Sequence, residues 1–214
     1  AGVPARLRPA ALARRAAAMS APSLSVGLGP LVLQNPVLLA AGTAAYGREL
    51  AEVMDLERLG GLVTKAVSLE PRSGAPAPRV ADFDGGMINA VGLANPGVDA
   101  VVADDLPWIA AHLQRPRVLV NVVGREAEEF GQVVARLDGA AGVHGFELNV
   151  SCPNVKQGGM EFGADPEALT AVVRGARAAT GRPLFVKLSP TLPRIGEVAQ
   201  RAVDAGADGV TVIN

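Results

Sequence analysis

The 214-residue sequence predicts an α/β protein that carries the first six strands of a (β/α)₈ TIM barrel. Three observations lead there. Six strand-length apolar runs alternate with amphipathic stretches: PVLLAA (36–41), GLVTKA (61–66), RVLVNVV (117–123), GFELNV (145–150), PLFVKLS (183–189) and GVTVIN (209–214). Near-continuous apolar strands separated by helices indicate a parallel sheet covered on both faces. The strand ends are polar in phase, with Lys65, Asn121, Asn149, Lys187 and Asn214 each standing where a strand meets its following loop, and Ala41-Gly42 at the sixth such place. In barrels that rim carries the chemistry. Finally, a barrel needs eight strands and about 250 residues, and the sequence stops at Asn214, the tip of the sixth strand, so we expect a longer polypeptide. The strand count alone also fits a doubly wound sheet; the polar rim favours the barrel. Strand-end asparagine often merely caps a turn, a reading that serves for one residue better than for five in phase.

Each element has a local reason. LSVGLGPLVLQ (24–34) reads as a small hairpin ahead of the first barrel strand. Residues 47–58, with Leu50, Val53, Met54 and Leu56, read as a first helix; 105–114 and 125–137 give two more, with Leu106, Trp108, Ile109, Leu113 and then Phe130, Val133, Val134, Leu137 at helical spacing. Asp165-Pro166-Glu167 is an N-cap, a proline at the first helical position and an early acid. Residues 194–205 form the fifth helix, ended by Gly206. Residues 67–104 form a long Pro- and Gly-rich insertion, and loops of that length inside a compact domain are usually functional. No internal repeat is evident. Residues 1–22 are an N-terminal extension and 23–214 the barrel domain; residues 1–18 hold four arginines and no acid, which an upstream-extended start before Met19 or a short surface helix explains better than a targeting peptide.

Composition narrows the classes. With 49% apolar residues the chain can bury a sizeable core, and a net charge of −1 offers no bulk attraction for nucleic acid. No apolar run approaches the ~20 residues of a membrane span. A single cysteine cannot form an internal disulfide, and no Cys/His set has zinc spacing, so no metal site is expected. A cytoplasmic enzyme or binding protein is the default.

The one cysteine lies in ELNVSCPNVKQGG (147–159), in the loop after the fourth strand. Pro153 fixes the turn, and Gly158, Gly159 and Gly163 make the rest pliable, as in a lid. A free cysteine is most often a small buried hydrophobe, but polar neighbours on both sides argue against that for Cys152. A thiol titrates near pH ~8.5 and serves as a general base once its pKa is modestly lowered. Asn149 and Asn154 donate and accept without charge, which suits an amide-rich ring such as a pyrimidine. Lys65 and Lys187 suit a carboxylate, or negative charge developing on a reduced flavin.

ELNVSCPNVKQGG, INAVGLANPG (88–97), LVTKAVSLEPRSGAPAPRV (62–80) and FVKLSP (185–190), in that arrangement along the strands, resemble class 1 dihydroorotate dehydrogenase. The similarity runs from about residue 23 to the end, and INAVGLANPGVD and SCPNVKQGGMEFGADPE are closest to the catalytic subunit of the NAD-linked subclass, 1B. The resemblance implies an FMN-containing barrel that oxidises dihydroorotate to orotate in de novo pyrimidine biosynthesis. By its motifs, Cys152 falls on the catalytic base that takes the C5 proton while the C6 hydride passes to FMN. Lys65 falls on a residue touching both flavin and substrate. Asn89, Ala90, Val91, Gly92 and Leu93 fall on the substrate loop; Asn149 is shared by flavin and substrate; Asn154 and Asn214 fall on the substrate. Ala41, Gly42, Ala66, Asn121, Lys187 and Ile213 fall on flavin-contacting positions. The subclass implies a homodimer, or a heterotetramer with an electron-transfer subunit that carries FAD and an iron–sulfur cluster; this sequence has neither a cysteine set for a cluster nor a strand-linked G-x-G-x-x-G.

Two departures matter. The family often has Ser-Gly where Ala41-Gly42 stands, so one flavin contact must come from backbone alone. The family also holds the FMN phosphate after strands seven and eight, in line with the general barrel rule, and no such Gly-rich loop follows Asn214. Two other readings compete: a dihydropyrimidine dehydrogenase domain, which typically has histidine where Asn154 stands, and a non-catalytic nucleotide-binding barrel subunit, which would have no need of the thiol or the rim lysines. His112, His144 and Trp108 read as structural. Arg125–Glu129 reads as a solvated helix start with acids suited to the dipole. Arg72 and Arg79 flank the Pro-rich loop and could meet a partner or stabilise the loop.

Overall fold

The structure is a computed structural model that describes residues 23–151, 153–154 and 160–213. The chain opens with an antiparallel hairpin, β1 (Val26–Leu28) and β2 (Leu31–Leu33), as the sequence predicts. Next come β3 (Leu38–Leu39), β4 (Gly61–Val63), a second hairpin of β5 (Val80–Phe83) and β6 (Gly86–Asn89), then β7 (Arg117–Val122) and β8 (Gly145–Asn149). A two-residue pair, β9 (Pro153–Asn154) with β10 (Met160–Glu161), precedes β11 (Leu184–Leu188) and β12 (Gly209–Val212). The main sheet has six strands in the order β3-β4-β7-β8-β11-β12, every neighbouring pair parallel. Spatial order therefore follows chain order. A doubly wound sheet reverses its order at a switch point; this one does not, and the choice left open by the strand count resolves to a partial barrel. Its curl brings side chains of non-adjacent strands together: Thr211 on β12 donates to Glu147 on β8 at 2.7 Å, although β11 lies between them and two strand spacings in a flat sheet are about 9–10 Å.

Alternation along each strand builds two separate cores. Val118, Val120 and Val122, Phe146 and Leu148, and Leu184, Val186 and Leu188 pack outward against the helices in one large cluster. Leu119, Phe185 and Val63 point inward, where they meet Leu31 and Leu33 of the first hairpin. That hairpin plugs the barrel floor. Gly145 stands opposite Leu119 on this inner layer, and a Cβ there would come within 2.6 Å of the Pro183 carbonyl and 2.8 Å of Leu119. Large and small residues thus alternate at the floor, as the narrow interior requires.

The helices follow their predicted caps and faces. Ala127–Leu137 buries Phe130, Val133, Val134 and Leu137, and Glu129 accepts from the Arg125 amide at 2.8 Å just before its start. Pro166–Ala179 is capped by Asp165, whose carboxylate accepts from the Glu167 and Ala168 amides at 2.8 and 3.0 Å. Ile195–Asp204 completes the series. Three expectations need correction. Residues 47–58 form two short 3₁₀ turns, Leu50–Glu52 and Leu56–Arg58, rather than one helix. Gly47 enters with φ +96°, Val53 faces solvent, and Asp55 caps the second turn through the Glu57 amide, which breaks continuity. The helix placed at 105–114 begins earlier, as Val98–Ala100, passes through a π-helical Val101–Asp105 and ends as Leu106–His112. Residues 67–104 are therefore not one irregular loop: they contain β5, β6 and this helix start. Residues 1–22 lie outside the described residues.

Trp108 packs against the main core on one side and stacks on His112 on the other, ring centroids 4.6 Å apart. His144 accepts the Val118 amide through Nδ1 at 3.1 Å, at the floor end of β7. Burial first, then the nearby Arg117 and Arg182 charges, holds this imidazole below its ordinary pKa of 6.5. The unfolded chain therefore takes up this proton at a higher pH than the folded one, so acid favours unfolding. We expect the thermal midpoint of the protein to fall as pH drops below 6.5, and His144→Gln, which keeps an acceptor but cannot titrate, to flatten that limb. An unchanged pH profile in the variant would assign the limb to other groups.

Candidate functional site

The C-terminal ends of the strands surround a cleft of about 510 Å³, lined by Ala41, Gly42, Ala45, Lys65, Ala66, Asn89, Val91, Leu93, Asn121, Asn149 and Lys187. Period-2 alternation sets its chemistry. Asn121 lies two residues beyond the inward Leu119, Lys187 two beyond the inward Phe185, and Asn149 stands opposite Lys187 in the parallel register. The inward face thus changes from apolar at the floor to amide and ammonium at the rim, in one strand length.

Small residues leave one wall open to a flat group, and backbone bonds fix it. The Lys65 amide donates to the Ala45 carbonyl at 2.8 Å, and the Tyr46 hydroxyl donates to the Ala66 carbonyl at 3.2 Å. Burial, aided by the Asp105 charge, pushes the Tyr46 phenol far above its ordinary pKa, so it remains a donor. The other wall is the segment after β6. There the buried Asn95 accepts from the Ser68 and Gly97 amides at 3.2 and 2.9 Å and donates to the Leu93 carbonyl at 2.8 Å. Arg79 donates to the carbonyls of Ala75 and Ser73 at 2.6 and 2.8 Å, which answers one of the two open arginine assignments: Arg79 stabilises the loop. Arg72 has a buried Nη2 with no partner among the described residues. Ala45 and Leu93 have φ +45° and +56°. A left-handed non-glycine residue costs on the order of 1 kcal/mol or more, and both of these line the cleft.

Two features give the cleft its preference for a ligand. The side-chain oxygens Oδ1 of Asn121 and Asn149 are buried and lack a hydrogen-bond donor among the described residues. Lys187 is buried, Lys65 is half-buried, and no ion pair to a carboxylate is made by either among the described residues. Buried acceptors and unpaired cations are costly unless a partner supplies donors and negative charge. A flat, polar group with N–H donors and electron-rich oxygens meets both needs.

Of the residues predicted from sequence, the cleft gathers Ala41, Gly42, Lys65, Ala66, Asn89, Val91, Leu93, Asn121, Asn149 and Lys187. Ala90 and Gly92 belong to the same segment without lining it. The Ala90 amide donates to the Arg79 carbonyl at 2.8 Å, and a Cβ on Gly92 (φ +71°) would come within 2.6 Å of the Ala75 amide, so that glycine allows two backbone segments to meet. Ile213 is half exposed beyond β12. Asn154 is described only as a β9 position paired with Met160, and Cys152 and Asn214 lie outside the described residues. Sequence reasoning missed Ala45, Asn95 and Glu147. Only Glu147 left a signal: it precedes Asn149 by two residues and must share its inward face. Asn95→Ala would strand the Ser68 and Gly97 amides and the Leu93 carbonyl. We expect a loss of about 1–3 kcal/mol and faster hydrogen exchange at the Ala75 and Ala90 amides, read on the protein without ligand.

The family model described as Dihydroorotate dehydrogenase matches residues 23–214. A protein of Geobacter sp. (strain M21) named dihydroorotate dehydrogenase B (NAD(+)), catalytic subunit, is 46% identical over 196 residues, covering 92% of this chain and 64% of that protein. Proteins of the same name from Pelobacter propionicus and Bacillus pumilus are 47% identical over 193 residues (90% of this chain, 63% of the relative) and 44% identical over 191 (89% and 61%). The chain thus spans about 64% of the length of such relatives. A crystal structure of DHODH from Eimeria tenella in complex with ferulenol shares the fold, with TM-score 0.73 at 20% identity over 90% of this chain and 60% of that one. Among the described residues no helix is long and apolar enough to cross a membrane.

Proposed function

Because the chain belongs to the dihydroorotate dehydrogenase family, we propose that the protein it forms part of oxidises dihydroorotate to orotate with FMN, in the cytoplasm, as a step of pyrimidine synthesis. One observation carries this reading: one cleft brings two lysines beside two buried amide oxygens, the lysines without carboxylate partners and the oxygens without donors among the described residues. When bound, FMN supplies the acceptor for the C6 hydride.

The chain's own residues supply the rest. Lys187, with Ala41, Gly42, Ala66, Asn121 and Ile213, holds the flavin, and the ammonium offsets negative charge where it develops. Lys65 and Asn149 serve flavin and substrate together. Asn89 to Leu93 close over the substrate from the segment that Asn95 and Arg79 hold in place, with Asn154 and Asn214 completing the amide contacts. Cys152, as thiolate, removes the C5 proton, so one proton and one hydride leave the substrate and a C5–C6 double bond forms. The names of the relatives, a catalytic subunit linked to NAD(+), support a second subunit that passes the electrons to NAD; in this proposal that subunit carries FAD and an iron–sulfur cluster and joins a homodimer of catalytic subunits.

The test is an anaerobic titration of the full-length protein with dihydroorotate, followed by flavin absorbance. Bleaching supports cofactor and half-reaction together. A bound flavin that stays oxidised would point to another dihydropyrimidine, and absence of flavin would overturn the proposal. Cys152→Ala should retain FMN and lose bleaching by roughly 10²-fold or more, the scale of general base catalysis; turnover equal to the wild type would remove Cys152 from its role.

A further inference from the structure

Glu147 is a carboxylate inside the barrel, 2% exposed, directly beneath the rim. Its Oε1 accepts from Asn121 Nδ2 at 2.7 Å across the β7–β8 register, and its Oε2 accepts from Thr211 Oγ1 at 2.7 Å. No lysine or arginine pairs with it among the described residues. Burying a charge with only two neutral donors is costly. A glutamine could fill the same space and span the same two partners, so stability alone does not explain the acid.

Its value lies in what a carboxylate cannot do. An ionised carboxylate only accepts, and both Glu147 oxygens accept here, so the Asn121 amide is oriented with NH₂ toward Glu147 and Oδ1 on the other side. That oxygen is the buried acceptor with no donor among the described residues, on a residue that lines the cleft. The backbone is held as well: the Asn121 amide donates to Thr64 Oγ1 at 3.2 Å, and Thr64 Oγ1 donates to the Lys65 carbonyl at 2.9 Å. A glutamine would offer an acceptor and a donor and leave Asn121 free to turn.

We infer that Glu147 is a positioning residue that locks the Asn121 amide so that its carbonyl oxygen, never its NH₂, is offered to an N–H or O–H donor of the ligand in the cleft. The inference rests on the proposed function, because FMN is the probe of that cleft. It predicts that donor and acceptor can be exchanged between the two residues. In E147Q/N121D, the introduced glutamine donates to the introduced aspartate and still accepts from Thr211, and the aspartate still presents an acceptor to the cleft.

The experiment compares full-length wild type, E147Q, N121D, E147Q/N121D and T211V, stripped of flavin and titrated with FMN by fluorescence quenching, with thermal midpoints in parallel. N121D, which sets two carboxylates in contact, should bind FMN on the order of tenfold more weakly. E147Q should lose a few-fold, and the double variant should return to within about threefold of wild type, a coupling that a double-mutant cycle isolates. T211V removes the other bond to Glu147 and should lower the midpoint while leaving FMN affinity within about twofold. Losses that multiply in the double variant, or a T211V affinity loss equal to that of E147Q, would assign Glu147 a structural role and overturn the inference. If N121D alone does not fold, a double variant that folds and binds FMN supports the exchange, and one that folds without binding overturns it. Wild-type protein that takes up no FMN overturns the proposed function itself, a result distinct from losses that multiply in a protein that binds it.

Discussion

The alternation of side chains along four parallel strands is the constraint from which the cleft follows. Because β4, β7, β8 and β11 are covered on both faces, each must send one set of residues to the helices and the other into the barrel. The helix side is uniformly apolar: Val118, Val120, Val122, Phe146, Leu148, Leu184, Val186 and Leu188. The inner side is graded. Leu119 and Phe185 close over the plugging hairpin, Glu147 and Asn121 form a polar middle, and Lys187 and Asn149 reach the rim. Apolar packing below therefore anchors the groups that act above, and a register slip of one residue would exchange the two faces entirely.

Asn95 satisfies three backbone groups that the turn after β6 would otherwise strand, and so sets the wall formed by Val91 and Leu93. The acceptors without a donor among the described residues, on Asn121 and Asn149, belong to residues that line the cleft. The strained Ala45 and Leu93 stand at the same cleft. Acceptors without donors and ammonium groups without ion pairs among the described residues, like left-handed non-glycine residues, are each unfavourable in isolation, and their coincidence at one rim supports the proposed binding site.

Legibility in the sequence depended on how local each signal was. The six strands, the first hairpin and the Asp165 cap were visible because apolar runs, turn residues and a cap-proline-acid triplet act over a few residues. The helix expected at 47–58 was not, since its apolar spacing was real for Leu50 and Leu56 but Gly47, Val53 and Asp55 interrupt the backbone. The rim lysines and asparagines could be named from their place at strand ends. Asn95 could not, because its partners Ser68 and Leu93 lie on either side of a hairpin whose closure no short pattern announces.

By itself the sequence determined the alternating α/β architecture, the residues at the strand tips and the family, because those follow from periodicity and from contiguous motifs. The polar strand ends and the family resemblance already favoured a barrel over a doubly wound sheet, and the tertiary structure supplied the strand order in space that establishes it. It also decided that Glu147 reaches both Asn121 and Thr211. Sixty-four positions separate Glu147 from Thr211 along the chain, and the curled sheet brings their side chains within hydrogen-bonding distance.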